Sequence, residues 1–518
     1  MHLSLLLAAA LAGTPGAPAA RPAAAPAIAW EDWSEGAFAR AAREHRFVLL
    51  DLGAGWCHWC HVMEETTYRD AEVVRLIGAH YVAVHVDQDT RPDLANRYED
   101  YGWPATVVFD GGGQELVRMQ GYIPPPRMRA LLKAVVDDPT PGPSVTGGPG
   151  AAAGVPGPVS ATLREELAKL DVDRYDGENG GWGFVHKYLD ADSVEHALRR
   201  AAAGDAAALR RAQETLDKQL QLFDPVWGGV YQYSDSGIWS NPHFEKIMSV
   251  QADNLRLYAM AYAQWKKPEH LRAAREVHRY LRTFLRSPEG AFYASQDADL
   301  VPGEHAAPFF ALGDAERRAK GIPRVDRSLY ARENGWAARA LAEMFTATGD
   351  AQAKDDALIA ARWLIARRRL PGGGFAHGDH DTGGPYLADS AAAARAFLAL
   401  HVATGEREWL DQAEDAARFI DRTFRRQGAA GYVTAAGGGR YDAPRPQREE
   451  NVLVGRLAVQ LQRLTGRAAY GAMAARALEY LSVPEVARRF STASVLLLLD
   501  EAAPAGAAAA TSAGPATR

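Results

Sequence analysis

Cysteine is almost absent from this chain. Cys57 and Cys60 are the only two in 518 residues, and none follows them. That scarcity excludes a disulfide framework, and a motif holding both thiols suggests reactivity rather than stapling. Long apolar runs are missing too. The run Leu3 to Ala12 is far shorter than the roughly 20 residues a membrane span needs, so no span is expected in the mature chain. Excess positive charge is also lacking. A net charge of −6 argues against nucleic-acid binding, which needs concentrated Lys and Arg. What remains is a globular composition, 47% apolar and 24% charged. The chain is too long for one ordinary core, and two domains are the natural expectation.

Composition shifts mark the boundaries. Residues 1–28 begin with that apolar run and continue in small residues with A-x-A-like sites, although the basic n-region is reduced to His2. They read as a signal peptide or disordered leader, so export to the periplasm or exterior is expected, and a cytoplasmic location if the leader is no signal. Residues 138–159 are Pro/Gly-rich and read as a linker, while 502–518 form an Ala-rich disordered tail.

Between leader and linker, residues 29–137 alternate strand and helix. "FVLLDLGA" (47–54), "YVAVHVD" (81–87), "ATVVFD" (105–110) and "ELVRMQGY" (115–122) are β-type runs. Helical spacing runs from Cys57 to about His80 and again near 125–136. This predicts a small α/β domain.

Beyond the linker, over 160–501, strand signals nearly vanish and a repeat takes over. Each unit is a helix, a tight turn, a helix and a Gly-plus-aromatic arm. The turn glycines Gly349, Gly405 and Gly466 lie 56 and 61 residues apart. About a dozen helices fit six hairpins closed into an α/α toroid better than an open solenoid, which would need polar capping repeats. A large helical bundle is the alternative.

The stretch "DLGAGWCHWCHVMEE" (51–65) satisfies three templates. Cys57-x-x-Cys60 is a redox dithiol spacing, Cys-x-x-Cys-His suits covalent haem attachment, and Cys-His-x-Cys-His offers metal ligands. The redox reading places Cys57 at a helix N-terminus, where the dipole favours its thiolate, with His58 adding to that effect when protonated. Cys60, one turn later and more inward, would resolve a mixed disulfide. Asp51 lies six residues before Cys57, and Pro104 heads a later strand after Trp103. A haem would need His61 with Met119 or Met128 as distal ligand, in an α/β context foreign to small haem-attachment domains. Zinc would have to recruit His80 or His85.

In the helical region, His243, Glu245 and Lys246 precede a helix, Asp297 and Asp299 sit in an insertion, and Lys187 follows the first arm. Gathered around a toroid cavity, such groups could serve as acid and base on a carbohydrate, and His243 with His377 could act in epimerisation. Capping and loop roles explain the same residues.

"WCHWCHVMEE", "VDQDTRPD", "GWPATVVF", "WGGVYQYSDSGIWSNPHFEKIM" and "FYASQDADL" follow in order. Together they resemble the spermatogenesis-associated protein 20-like family over roughly residues 30–500. The resemblance implies a thioredoxin-like domain fused to a six-hairpin glycosidase-like toroid. It also implies a relay role for Asp51 toward Cys60 and a cis bond before Pro104. The expected function is a thiol–disulfide oxidoreductase with Cys57 as nucleophile and Cys60 resolving, coupled to an epimerase- or glycosidase-like toroid of unknown substrate. A carbohydrate-active or carbohydrate-binding protein, or a client-binding scaffold, is the alternative. A disulfide-bearing client or redox partner is expected, with a carbohydrate as further ligand. No cofactor and no metal is assigned.

Overall fold

A computed structural model describes residues 27–98, 102–146, 157–489 and 491–503. The leader up to residue 26, residues 147–156 of the linker and the tail from residue 504 lie outside the described residues.

The first domain is a four-stranded sheet flanked by helices. In chain order it comprises α1 (Glu35–Glu44), β1 (Phe47–Gly53), α2 (His58–Thr66), α3 (Ala71–His80), β2 (Tyr81–Asp87), α4 (Pro92–Tyr98), β3 (Ala105–Phe109), β4 (Glu115–Gln120) and α5 (Pro125–Asp137). The strand order is β2-β1-β3-β4, with β1/β2 parallel and the other pairs antiparallel. Successive residues of β1 alternate faces. Val48, Leu50 and Leu52 pack under α1, while Leu49 faces the opposite layer of α3 and α5. This is the thioredoxin-like arrangement.

The four strands follow the sequence pattern, but the single helix expected from Cys57 to His80 is two. Asp70 breaks it by accepting from the backbone N–H groups of Glu72 and Val73, at 3.1 and 3.0 Å. That capping geometry begins a new helix rather than continuing the old one. The first residues of the predicted linker also belong to this domain, because the Gly142 N–H donates to the Leu116 carbonyl at 2.9 Å.

The second domain contains twelve helices of ten residues or more among the described residues. They are α6 (Ala161–Asp173), α7 (Ala191–Ala202), α8 (Ala206–Gln219), α9 (Met248–Trp265), α10 (Pro268–Tyr280), α11 (Ala331–Thr348), α12 (Ala351–Arg367), α13 (Leu387–Thr404), α14 (Arg407–Thr423), α15 (Arg448–Thr465), α16 (Ala468–Leu481) and α17 (Ala493–Ala502). Five hairpins are sequential, and α17 pairs back with α6 to make the sixth. The inner helices α7, α9, α11, α13, α15 and α17 adjoin in that order, and α17 closes on α7. The ring is therefore a toroid rather than a bundle. Its inner helices approach closely because they are rich in Ala and Gly. A Cβ added at Gly335 on α11 would lie 2.8 Å from that of Ala392 on α13.

One device repeats at the arms. The fourth residue of an inner helix clamps the backbone of the preceding arm. Gln251 bonds both N–H and C=O of Val230, Asn334 does the same for Phe292, and Asn451 for Tyr432. Buried backbone groups thus keep their partners where no regular strand could form.

The first domain sits over the arm end of the toroid. Tyr441 stacks on Phe38 with centroids 4.0 Å apart, Arg91 pairs with Asp442 at 2.7 Å, and His377 donates to the Asp89 carbonyl at 2.6 Å.

Candidate active site

β1 ends at Gly53, the chain turns, and Cys57 becomes the N-cap of α2. Its sulfur accepts from the Cys60 N–H at 3.2 Å. The two cysteines are joined as a disulfide with Cα atoms 5.2 Å apart. Exposure does not separate them, at 4% for Cys57 and 6% for Cys60, so Cys60 is not measurably more buried. Their surroundings differ instead. Cys57 lines a cleft between the domains, whereas Cys60 turns toward the sheet, where a Cβ on Gly53 would lie 3.5 Å from its sulfur.

Behind the dithiol, Asp51 is buried on β1. Its carboxylate accepts from Tyr68 Oη and His85 Nδ1, both at 3.0 Å. The same point beside Gly53 that meets Cys60 Sγ lies 3.6 Å from His85 Cε1. His85 therefore stands between Asp51 and the cysteine region, and its bond to Asp51 raises its pKa. From the sequence alone His85 is a candidate only as a metal ligand. Its signal was the parallel register Asp51↔His85, which a sequence does not display.

The Trp103–Pro104 bond is cis. Pro104 itself is buried, and its carbonyl accepts from the Gly121 N–H at 2.8 Å. That carbonyl is not on offer to a client strand; Gly102 and Trp103 line the cleft instead.

The residues assigned to a toroid cavity are redistributed. Asp299 holds both histidines of the dithiol helix, with His58 Nδ1 donating to Oδ1 at 2.7 Å and His61 Nδ1 to Oδ2 at 3.1 Å. Asp297 lies 3.7 Å from His61 Nε2, and Glu245 accepts the His58 backbone N–H at 3.2 Å. These carboxylates thus meet the dithiol. The two imidazoles outweigh burial and hold Asp299 down to about 2. Burial pushes Asp297 up to about 6 and Glu245 up to about 7. The Asp299 bond raises His58; at His61 burial pulls downward, and Asp299 with Asp297 overcomes it.

Lys187 and Lys246 do not line a cavity. Both are fully buried, pairing at 2.7 Å with Asp176 and Asp224 and donating to arm carbonyls. They staple the loops. His243 stacks on Tyr233 at 4.1 Å, and burial lowers its pKa to about 4. His377 gives its Nδ1 to Asp389 at 2.9 Å and its Nε2 to Asp89, so no nitrogen is left for an epimerisation partner. Met128 is buried among Leu116, Ile123 and Leu132, away from any axial position. His61, Asp297 and Asp299 each offer a ligand atom within 4.8 Å of the others, a donor set able to hold a divalent cation, but His61 Nδ1 and Asp299 Oδ2 are already hydrogen-bonded to each other.

The cleft measures about 640 Å³, with Cys57, Trp59 and Trp103 on one wall and Tyr188, Tyr233 and Glu245 on the other. It shares Tyr188, Gln232 and Val250 with a second cavity of about 580 Å³ at the toroid mouth. A thiolate at Cys57 would face both domains at once. Among the described residues no helix is long and apolar enough to cross a membrane.

Known proteins are similar to each part of the chain. Residues 16–137 match a family described as "Protein of unknown function, DUF255", named Thioredox_DsbH. Spermatogenesis-associated protein 20 of Mus musculus is 26% identical over 310 residues, covering 53% of this chain and 39% of the relative. The chain thus spans about two-fifths of the length of such relatives. Thioredoxin 1 of Chlorobaculum tepidum is 34% identical over 89 residues, covering 17% of this chain and 84% of that protein. Among solved structures, cellobiose 2-epimerase from Bacillus thermoamylovorans B4167 is similar, with 12% identity, 62% of this chain and 87% of that chain covered, and a TM-score of 0.49. With a thioredoxin-like domain joined to a helical toroid, the chain carries the DUF255 domain over residues 16–137 and is similar to spermatogenesis-associated protein 20.

Proposed function

We propose that the protein is a thiol–disulfide oxidoreductase that works on clients entering the interdomain cleft. The observation that carries this reading is the placement of the dithiol. Cys57 faces the cleft from a helix N-terminus, and Cys60 lies behind it near the Asp51–His85 pair. In the reducing direction, the Cys57 thiolate attacks one sulfur of a client disulfide, and the client's other sulfur leaves as a thiolate. Cys60 then gives its proton toward the Asp51–His85 pair and attacks the Cys57 sulfur. The client's second thiolate leaves and the Cys57–Cys60 disulfide forms, so two electrons pass from protein to client. The reverse sequence oxidises a client dithiol. Export, proposed from the leader, would place this chemistry in an oxidising compartment.

The test is exchange with a peptide disulfide. Cys57→Ser should abolish it, and Cys60→Ser should trap a mixed disulfide on Cys57. Equal exchange by wild type and Cys57→Ser sinks the proposal.

A second reading, carbohydrate binding or turnover, is favoured by the toroid-mouth cavity. Phe184 and Tyr188 expose aromatic faces there beside Asp190, which burial pushes up to about 6, and Asp192, which burial also raises. Carboxyls whose pKa burial raises toward neutrality suit acid–base work on a glycosidic bond. An oligosaccharide panel read by thermal shift, followed by Asp190→Asn on any hit, tests it; a panel with no shift removes the support.

A further inference from the structure

The ninth residue of each inner helix points to the toroid axis, and in five of the six it is arginine. These are Arg199, Arg256, Arg339, Arg395 and Arg456, with Glu501 in the sixth place. Four of the five are neutralised by a small set of carboxylates. Glu195 serves Arg199 at 2.8 Å and Arg256 at 2.7 Å and also pairs with Arg456. Glu501 serves Arg456 at 2.8 Å and Arg199 at 3.0 Å, and Glu343 takes Arg339 at 2.7 Å.

Arg395 is left over. It is 4% exposed, its Nε and Nη1 are buried without a hydrogen-bond partner, and no ion pair reaches it among the described residues. Burial and the neighbouring cations Arg339 and Arg456 press its pKa well down. A buried guanidinium is stable only when its charge and its planar fork of donors are met. The toroid does not meet them from within. Arg395 lies on the partition between two chambers along the axis, of about 480 and 260 Å³, and lines both together with Arg256 and Arg339. The larger chamber opens at the end opposite the dithiol and is rimmed by Met260, Leu398, Val402 and Leu464.

We propose that this axial chamber binds a small organic anion, a carboxylate or phosphate ester with an apolar body, whose oxygens are taken by the Arg395 guanidinium between Arg256 and Arg339. The fork of Arg395 matches two oxygens of either group, and the apolar rim covers the rest of the molecule. The site uses no residue of the dithiol region and stands or falls apart from the redox reading.

The experiment is a calorimetric titration of the full chain at low ionic strength with hexanoate, hexyl phosphate and inorganic phosphate, against sodium chloride at matched ionic strength. Saturable one-to-one binding of hexanoate or hexyl phosphate, but not chloride, is expected. The stronger of the two identifies the headgroup, and inorganic phosphate should bind more weakly than its hexyl ester. Arg395→Met should lower affinity by about tenfold or more, and its ligand-free thermal midpoint should equal or exceed that of wild type, because an unmatched cation has been removed. Arg395→Lys keeps the charge but loses the fork, and should bind about tenfold more weakly while folding normally. Absence of saturable binding by wild type, or undiminished affinity in both variants, overturns the proposal.

Discussion

His58, enclosed between Cys57 and Cys60, donates to Asp299 at 2.7 Å across 241 residues of chain. The charge state of the dithiol loop is therefore governed by the other domain. Asp299→Asn should let the His58 and His61 resonances titrate closer to the ordinary value of 6.5. It should also lower stability by about 2–3 kcal/mol, because two largely buried imidazoles lose a charged acceptor. Histidine titration by NMR with a denaturant melt checks both. An unchanged His58 titration contradicts this coupling.

The same cluster sets a pH dependence. His58 and His61 are raised above 6.5, so their contribution is complete below pH 6.5 and is lost as pH climbs through the raised values. Asp299 is lowered from 3.8 to about 2, so its contribution is present above pH 3.8 and is lost as pH falls through about 2. Asp297 and Glu245, raised to about 6 and about 7, ionise at a burial cost over that range and add to the alkaline loss. The thermal midpoint should thus fall from about pH 4, where Asp297 and Glu245 begin to ionise in the unfolded chain, up through the raised values of the two histidines. Asp297→Asn with Glu245→Gln should flatten part of that fall, and a rising profile in wild type would contradict the assignment.

Asp51→Asn and His85→Ala should slow resolution by Cys60 more than attack by Cys57. A loss of about tenfold to hundredfold is expected for a positioned proton acceptor. Stopped-flow decay of the mixed disulfide, followed against pH, separates the two steps. If attack and resolution slow equally, the pair has only a structural role.

Asn451→Leu tests the arm clamps. Asn451 bonds the Tyr432 N–H at 2.7 Å and its carbonyl at 2.9 Å. Removing the amide leaves both groups buried, at a cost of about 2–4 kcal/mol. Denaturant melts should show that loss, and a change within experimental error would mean that other groups satisfy the arm.

Periodicity and local chemistry are short-range properties, and they carried much of the design. The strands of the first domain, the dithiol at a helix start and the hairpin repeat, with Gly349, Gly405 and Gly466 as left-handed caps, could all be read along the chain. The break at Asp70 was legible in principle, since an Asp before "AEVV" is a capping signal that the helical spacing around it obscured. The arm clamps and the ring of arginines also repeat, but they recur at one residue per unit, too sparse to stand out until the helices are aligned.

Only the tertiary structure decided which carboxylates serve which partners. Asp297, Asp299 and Glu245 carry the same local pattern whether they face a sugar or a neighbouring helix. Their role was set when the first domain docked on the arms and brought His58 and His61 to Asp299. Likewise, nothing local distinguishes Arg395 from Arg339 or Arg456. Three glutamates from distant helices are shared among four of the five arginines, and ring closure leaves the fifth facing a cavity. Sequence specifies what each element is by its period and caps; the burial and pairing of its charges depend on contacts that only the closed, docked fold creates.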